Sequence, residues 1–102
     1  MKIPNKLILG GQEITVTHVN QIDGDLMGDC CIWDSTIRIA CNYKGKPQSE
    51  GSKVNTFYHE LTHLILDTMG EFELSTNEKF VSTFSSFLTG ALKSFDYGKF
   101  SN

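Results

Sequence analysis

His59-Glu60-Leu61-Thr62-His63 lies inside a mostly apolar run over residues 54–69. Residues four apart lie above one another on one face of an α-helix, so the two imidazoles can hold one small cation from the same side. A neutral imidazole pair suits zinc. Glu60 points about 100° further around the helix and can reach a water on the metal without becoming a ligand. The pattern therefore predicts zinc ligation by His59 and His63, with Glu60 as the general base of a hydrolase.

The apolar residues around this motif predict a helix over about residues 52–69. Their spacing is helical, and Gly70 follows where a left-handed residue commonly ends a helix. Ser49 and Ser52 can each cap the start of the helix, and the sequence does not decide between them. The residues that recur at this spacing are Val54, Phe57, Leu61, Leu64, Ile65 and Met69.

A second helix is predicted to begin near Ser75, after a short linker over residues 70–74. Such a connection favours two antiparallel helices. One broad apolar stripe of this helix holds Phe80, Phe84, Phe87, Leu88, Ala91 and Leu92. A neighbouring face holds Glu78, Val81, Ser82 and Ser85, whose mostly small side chains permit close approach.

A tetrahedral catalytic zinc needs a third protein ligand and one open position for water. Asp67 shares the histidine face but lies about 6 Å beyond His63 along the helix axis, so one straight helix cannot bring all three donors to one point. Glu71 and Glu73 fall in the turn at the far end of the helix. Glu78, in the first turn of the antiparallel helix, is best placed to reach across.

Glu78 has a competing structural use. Ser75-Thr76-Asn77-Glu78 matches a capping box, in which the Glu78 carboxylate would reach back to the Ser75 amide. The two uses compete for the same oxygens. Ligation is the favoured interpretation, because a pair of histidines needs a further partner to complete a zinc site.

The N-terminal half predicts a small β-sheet. Residues 6–9 and 12–19 form two β-rich runs that meet at a glycine pair, as in a hairpin. A second strand pair is predicted over residues 26–32 and 36–41, followed by a surface connection over residues 42–52. The predicted fold class is α+β: a small twisted, mainly antiparallel sheet of three or four strands packed on two antiparallel helices.

Composition limits the functional classes. One hundred and two residues make one domain, and a net charge of −3 with nine scattered Lys and Arg argues against nucleic acid as the principal partner. No segment approaches the ~20 apolar residues of a membrane span, and no signal peptide is recognisable, so a soluble cytoplasmic protein is expected. Cys30, Cys31 and Cys41 are expected to be free thiols, buried or at an edge, rather than a disulfide framework or zinc ligands.

The motif followed by Asn77-Glu78 resembles the zinc peptidases called gluzincins, whose third ligand is a glutamate in an Asn-Glu sequence on the next helix. A small sheet followed by two helices looks like the minimal gluzincins. It looks still more like the small zinc-peptidase-like proteins of phages and prophages, a group akin to the ImmA/IrrE-type metallopeptidases. The resemblance spans most of the chain.

The resemblance implies one zincin-like metallopeptidase domain over residues 1–102, with a Zn²⁺ cofactor. Its ligands would be His59, His63 and Glu78, and Glu60 would be the general base. The substrate would be an extended peptide or protein lying along the strand that starts at Thr36 and ends at Cys41. The implied location is the cytoplasm of a bacterial host, with no nucleic-acid or membrane partner.

Two features depart from the larger gluzincins. Those proteins place an aspartate four residues after the ligand glutamate to orient a histidine, and here the position is Ser82. Either metal affinity or activity is lower than in those proteins, or another group takes that role. The donor that would stabilise the oxyanion is not identified. The unranked candidates are His18, Tyr43, Tyr58 and Tyr97.

Two functions follow as hypotheses. In the first, the chain is a zinc peptidase in which Glu60 activates a metal-bound water. In the alternative, it is a catalytically weak or inactive zinc-stabilised binding or regulatory protein of phage origin. A third interpretation, an interaction module without metal, requires the two histidines to be incidental.

Overall fold

The structure is a computed structural model that describes residues 1–98. Within this range the chain forms a four-stranded mixed sheet, a two-stranded sheet and three helices, which confirms the predicted α+β class. The strands are β1 (Lys6–Leu9), β2 (Gln12–Val19), β3 (Gly28–Cys31), β4 (Thr36–Ala40), β5 (Asn42–Tyr43) and β6 (Lys46–Pro47). The helices are α1 (Glu50–Met69), α2 (Phe72–Ser75) and α3 (Glu78–Lys93).

The strand order in the main sheet is β1-β2-β4-β3. Two neighbouring pairs are antiparallel, whereas β2 and β4 run parallel, with Val16 beside Ile37. Strand β4 is therefore hydrogen-bonded on both sides and has no free edge. The strand expected beside the cleft, from Thr36 to Cys41, lies instead in the middle of the sheet, and the two edge strands are β1 and β3.

The core lies between this sheet and α1. Its buried side chains come from alternate positions of β2 and β4 and from one face of α1, as the two periodicities require. Full burial of each large apolar side chain contributes about 1.5–3 kcal/mol, so the core fixes α1 firmly across the sheet. The cluster consists of Ile14, Val16, Ile37, Ile39, Phe57 and Leu64.

Helix α1 has both of its ends capped. Ser49 is the N-cap, and its side chain accepts a hydrogen bond from the Ser52 amide at 3.1 Å. Gly70 ends the helix in the left-handed region at φ 79°, where glycine has no steric cost. Of the two predicted caps, Ser49 is therefore the one used, and the helix starts two residues earlier than expected.

The second long helix does not begin at Ser75. The one-turn helix α2 ends there, and the Asn77 side chain accepts from the Phe80 amide at 3.1 Å, so α3 begins at Glu78. Helix α3 packs on α1 through its small face, where Val81, Ser85 and Thr89 are buried.

The connection after β4 contains structure that the sequence did not indicate. Strands β5 and β6 form a minimal hairpin whose two turn residues, Lys44 and Gly45, both have positive φ. The buried Gln48 amide then donates to the carbonyls of Ala40 and Met27, at 2.6 and 3.0 Å. This amide ties the start of α1 to the sheet. Among residues 1–98, no helix is long and apolar enough to cross a bilayer.

Candidate metal centre

The structure brings the three predicted ligands together. His59 and His63 lie one turn apart on α1, with ring centroids separated by 5.0 Å. Glu78 reaches them from the first position of α3. Its Oε2 lies 3.3 Å from His59 Nε2, and its Oε1 lies 3.2 Å from His63 Nε2. One donor atom from each residue therefore falls within 4.8 Å of the other two.

The donor group is compact enough for one zinc ion. Zinc bonds of about 2.0–2.1 Å in tetrahedral geometry place neighbouring ligand atoms about 3.3–3.4 Å apart. The two His–Glu separations of 3.3 and 3.2 Å are of this size and end on different oxygens of Glu78, while one donor atom from each of the three residues lies within 4.8 Å of the other two. Two neutral nitrogens and one carboxylate match the donor set of catalytic zinc, and three protein donors leave a fourth position for water or substrate.

Ser75 orients the His63 ring. Its Oγ lies 3.2 Å from His63 Nδ1 and 3.4 Å from the His63 carbonyl oxygen. If Nε2 presents its lone pair to a metal, the proton lies on Nδ1, which then donates to the Ser75 hydroxyl, while that hydroxyl donates to the carbonyl. The role that Ser82 cannot fill thus has a buried candidate in Ser75. The sequence interpretation treated Ser75 only as a helix cap.

The carboxyl group of Glu60 is buried beside the two histidines. Burial raises its pKa, and the neighbouring His59 and His63 partly offset that effect. Cys30 lines the same groove as Glu60, and burial together with the nearby Glu60 charge raises the pKa of its thiol. The Cys30 thiol therefore stays protonated beside the carboxyl group.

Cys30 was not among the predicted site residues, although its position in the strand pairing could have indicated it. Cys30 pairs with the fully buried Ile37 on β4, and paired residues of adjacent strands share a face of the sheet. Cys30 is therefore expected on the α1 side of the sheet. All three cysteines are free thiols, and each is half-buried: Cys30, Cys31 and Cys41.

The site opens into a cleft between α1 and β3. Two grooves meet at His59 and Glu60, one of about 720 Å³ towards the start of α1 and one of about 650 Å³ towards its end. Gly28 borders both grooves. A Cβ at Gly28 would lie 2.5 Å from the Thr56 methyl and 2.9 Å from the Arg38 carbonyl oxygen, so glycine is what lets β3 approach α1 this closely.

Several candidates from the sequence lie apart from the donor cluster. Asp67 lines the second groove but is not in the three-residue donor group, as its distance along α1 predicted. Glu71 and Glu73 are exposed and lie outside both grooves. Within residues 1–98, none of the candidate oxyanion donors lines either groove: His18, Tyr43, Tyr58 and Tyr97.

Comparisons with protein-family models, with curated proteins and with solved structures gave no match. The class of protein is therefore described by its geometry: a small α+β domain in which two antiparallel helices bring two histidines and a glutamate together beside a buried carboxyl group.

Proposed function

We propose that the chain is a zinc-dependent peptidase. One observation carries the proposal: donor atoms of His59, His63 and Glu78 lie within 4.8 Å of one another beside Glu60, in a cleft bordered by strand β3, whose outer edge is unpaired among residues 1–98. A structural zinc site has four protein ligands, whereas a catalytic site keeps one position open. Three protein donors at the meeting point of two grooves favour the catalytic kind.

Each residue then has a separate task. Zinc, when bound, polarises the scissile carbonyl and lowers the pKa of the attacking water. Glu60 accepts a proton from that water as the new C–O bond forms, and it donates the proton to the leaving amine as the C–N bond breaks. Its burial favours this role, because the raised pKa makes the protonated carboxyl accessible nearer neutral pH. Cys30 lies along the same groove as this carboxyl group and contributes to the apolar side of its surroundings.

An extended peptide or protein segment is the substrate class we assign to the cleft. The outer edge of β3 has no partner strand among the described residues, and both grooves run beside it. A peptide adding to this edge would gain main-chain hydrogen bonds, with its side chains pointing alternately into and out of the cleft. This proposal moves the substrate from the internal strand β4 to β3.

The test is cleavage of a diverse peptide library by the zinc-loaded chain. Hydrolysis that a chelator suppresses and that Glu60→Gln abolishes, with zinc retained, supports the peptidase. Glu71→Gln is the matched control, since it makes the same change at an exposed carboxylate outside both grooves. Undiminished cleavage by the Glu60 variant would remove Glu60 from the mechanism.

The second candidate is a zinc-stabilised binding or regulatory protein of phage origin, acting in the cytoplasm of a bacterial host. One observation favours it. Among the described residues, the two grooves are lined by no tyrosine, and by no histidine except the two predicted ligands. Such a group commonly stabilises the oxyanion. Tight zinc binding without cleavage of any library peptide would select this candidate over the enzyme.

A further inference from the structure

Helix α3 carries its more apolar face outward. Its buried face consists of Val81, Ser85 and Thr89, two of which are polar. The exposed fractions of Phe80, Phe84 and Phe87 are 36%, 47% and 75%. A free surface helix normally shows the reverse arrangement. We call the surface formed by Phe80, Phe84, Phe87 and Ala91 the outer seam.

The outer seam has the spacing of a helix-pairing surface. Its four residues follow one another at intervals of four, three and four, which is the alternation of core positions in a coiled coil. The Phe80 and Phe84 rings stack with centroids 5.9 Å apart and an interplanar angle of 11°. They border a groove of about 380 Å³, which can receive a side chain from a facing helix.

The residues that flank the outer seam favour a protein helix over a lipid surface. Thr83, Ser86 and Gly90 are exposed, small and uncharged, so a second helix can approach closely. A helix that lies on a membrane typically carries several Lys or Arg on its polar face, whereas α3 has only Lys79 and Lys93.

A charged residue borders the outer seam. Lys79 lines the groove beside Phe80 and Phe84, whereas the four seam residues are uncharged. A two-fold interface places the same patch on both sides, so the two Lys79 side chains carry the same sign. The exposed lysine stem lets the charged group stay in water at the rim, where salt screens this repulsion.

The exposed area matches one side of a small interface. At roughly 200 Å² per ring, the three seam phenylalanines together expose about 320 Å². A specific interface at the small end of the standard range buries about 600 Å² per partner, of which somewhat more than half is apolar. The three rings supply about that apolar share.

We propose that the outer seam pairs with the same seam of a second copy, giving a two-fold dimer. The proposal does not depend on zinc or on peptidase activity. The buried face of α3 packs on α1 in the same subunit, so each copy keeps its own His59, His63 and Glu78 together.

Sedimentation velocity over about 1–200 µM tests the proposal. The wild-type chain is expected to become dimeric within this range. Phe84→Glu/Phe87→Glu should remain monomeric, with an unchanged circular dichroism spectrum. Trp33→Glu is the matched control, because it alters an aromatic side chain that is 92% exposed on the β3–β4 turn, and it should dimerise like the wild type. If the double variant does not fold, Phe87→Glu alone replaces it, since Phe87 is the most exposed ring of the seam.

Two further results would overturn the proposal. One is a wild-type chain that stays monomeric at 200 µM. Binding of this monomer to phosphatidylglycerol vesicles through the seam would show that the surface meets lipid instead of a second copy. The other is a dimer that survives the Phe84 and Phe87 substitutions. The sedimentation result does not depend on zinc binding or on peptidase activity, so failure of the proposed function would leave this test intact.

Discussion

Glu78 reaches both histidines because Asn77, and not Ser75, caps α3. An asparagine at the N-cap satisfies a free amide of the first turn, which leaves the next side chain available. The competition foreseen between capping and ligation is thereby avoided. Ser75 contacts His63 and Asn77 caps α3, so neither role occupies the Glu78 carboxylate, which faces the site.

Ser75→Ala is expected to weaken zinc binding about tenfold, because loss of a partner that orients a ligating histidine typically costs 10- to 100-fold in metal affinity. Competition with a chromophoric chelator measures the change. Ser82→Ala is the matched control, because it makes the same change at an exposed serine of α3. An equal loss of affinity in both variants would contradict the role given to Ser75.

Glu60→Gln is expected to stabilise the metal-free chain at neutral and alkaline pH. The raised pKa of Glu60 means that the folded state binds its proton more tightly than the unfolded state does. The wild type therefore has its full stability below the usual glutamate pKa and loses part of it as the pH rises through the raised folded value. The neutral amide has no such loss.

Urea unfolding of metal-free protein between pH 4 and pH 8 measures this difference. The stability gap between Glu60→Gln and the wild type should widen as the pH rises. Glu71→Gln should show no comparable trend, since that carboxylate is exposed. A gap that stays constant across the pH range would indicate that burial of the Glu60 charge is not its cause.

At the scale of elements, the contact between β3 and α1 depends on Gly28. Gly28→Ala should lower the free energy of unfolding by about 1–3 kcal/mol, because overpacking at a tight contact forces the neighbouring backbone or side chain to move. A Cβ there would lie within 3 Å of Thr56 and of the Arg38 carbonyl oxygen. Gly51→Ala is the control, since its nearest neighbour lies at 4.0 Å and alanine favours the helix. Equal stability of the two variants would show that β3 is not held closely to α1.

The elements that local pattern specifies were predictable. The bounds of Lys6–Leu9 and Gln12–Val19 match the prediction, because alternation and a glycine turn act within a few residues. The histidine pair and Glu78 followed from helical spacing and from a short connection between helices. The central position of β4 depends on parallel pairing with the distant β2, which leaves no local signal. The placement of Cys30 in the same groove as Glu60 depends on the same long-range arrangement.

The apolar stripe on α3 was recognised in the sequence, but its direction was not predictable from periodicity alone. Periodicity says which residues share a face, whereas the partner of that face is decided by packing elsewhere in the chain. Here the small face holding Val81, Ser85 and Thr89 packs against α1. The phenylalanines are left outside, where we propose that a second copy covers them.

At the scale of the whole molecule, the candidate site joins the two long helices at one end. His59 and His63 belong to α1, which is fixed to the sheet by the core, and Glu78 belongs to α3, whose buried face against α1 is partly polar. A bound metal would therefore add a second link between α3 and α1. Binding at 100 times the dissociation constant would stabilise the folded chain by about 2.7 kcal/mol.

The most direct test of the central claim is a calorimetric zinc titration of the metal-free chain. The wild type and His18→Ala, which removes an exposed histidine on β2, are both expected to bind one zinc ion per chain. His63→Ala is expected to lose high-affinity binding, because only two of the three donors remain. Absence of saturable zinc binding in the wild type, or an unchanged isotherm for His63→Ala, would contradict the account.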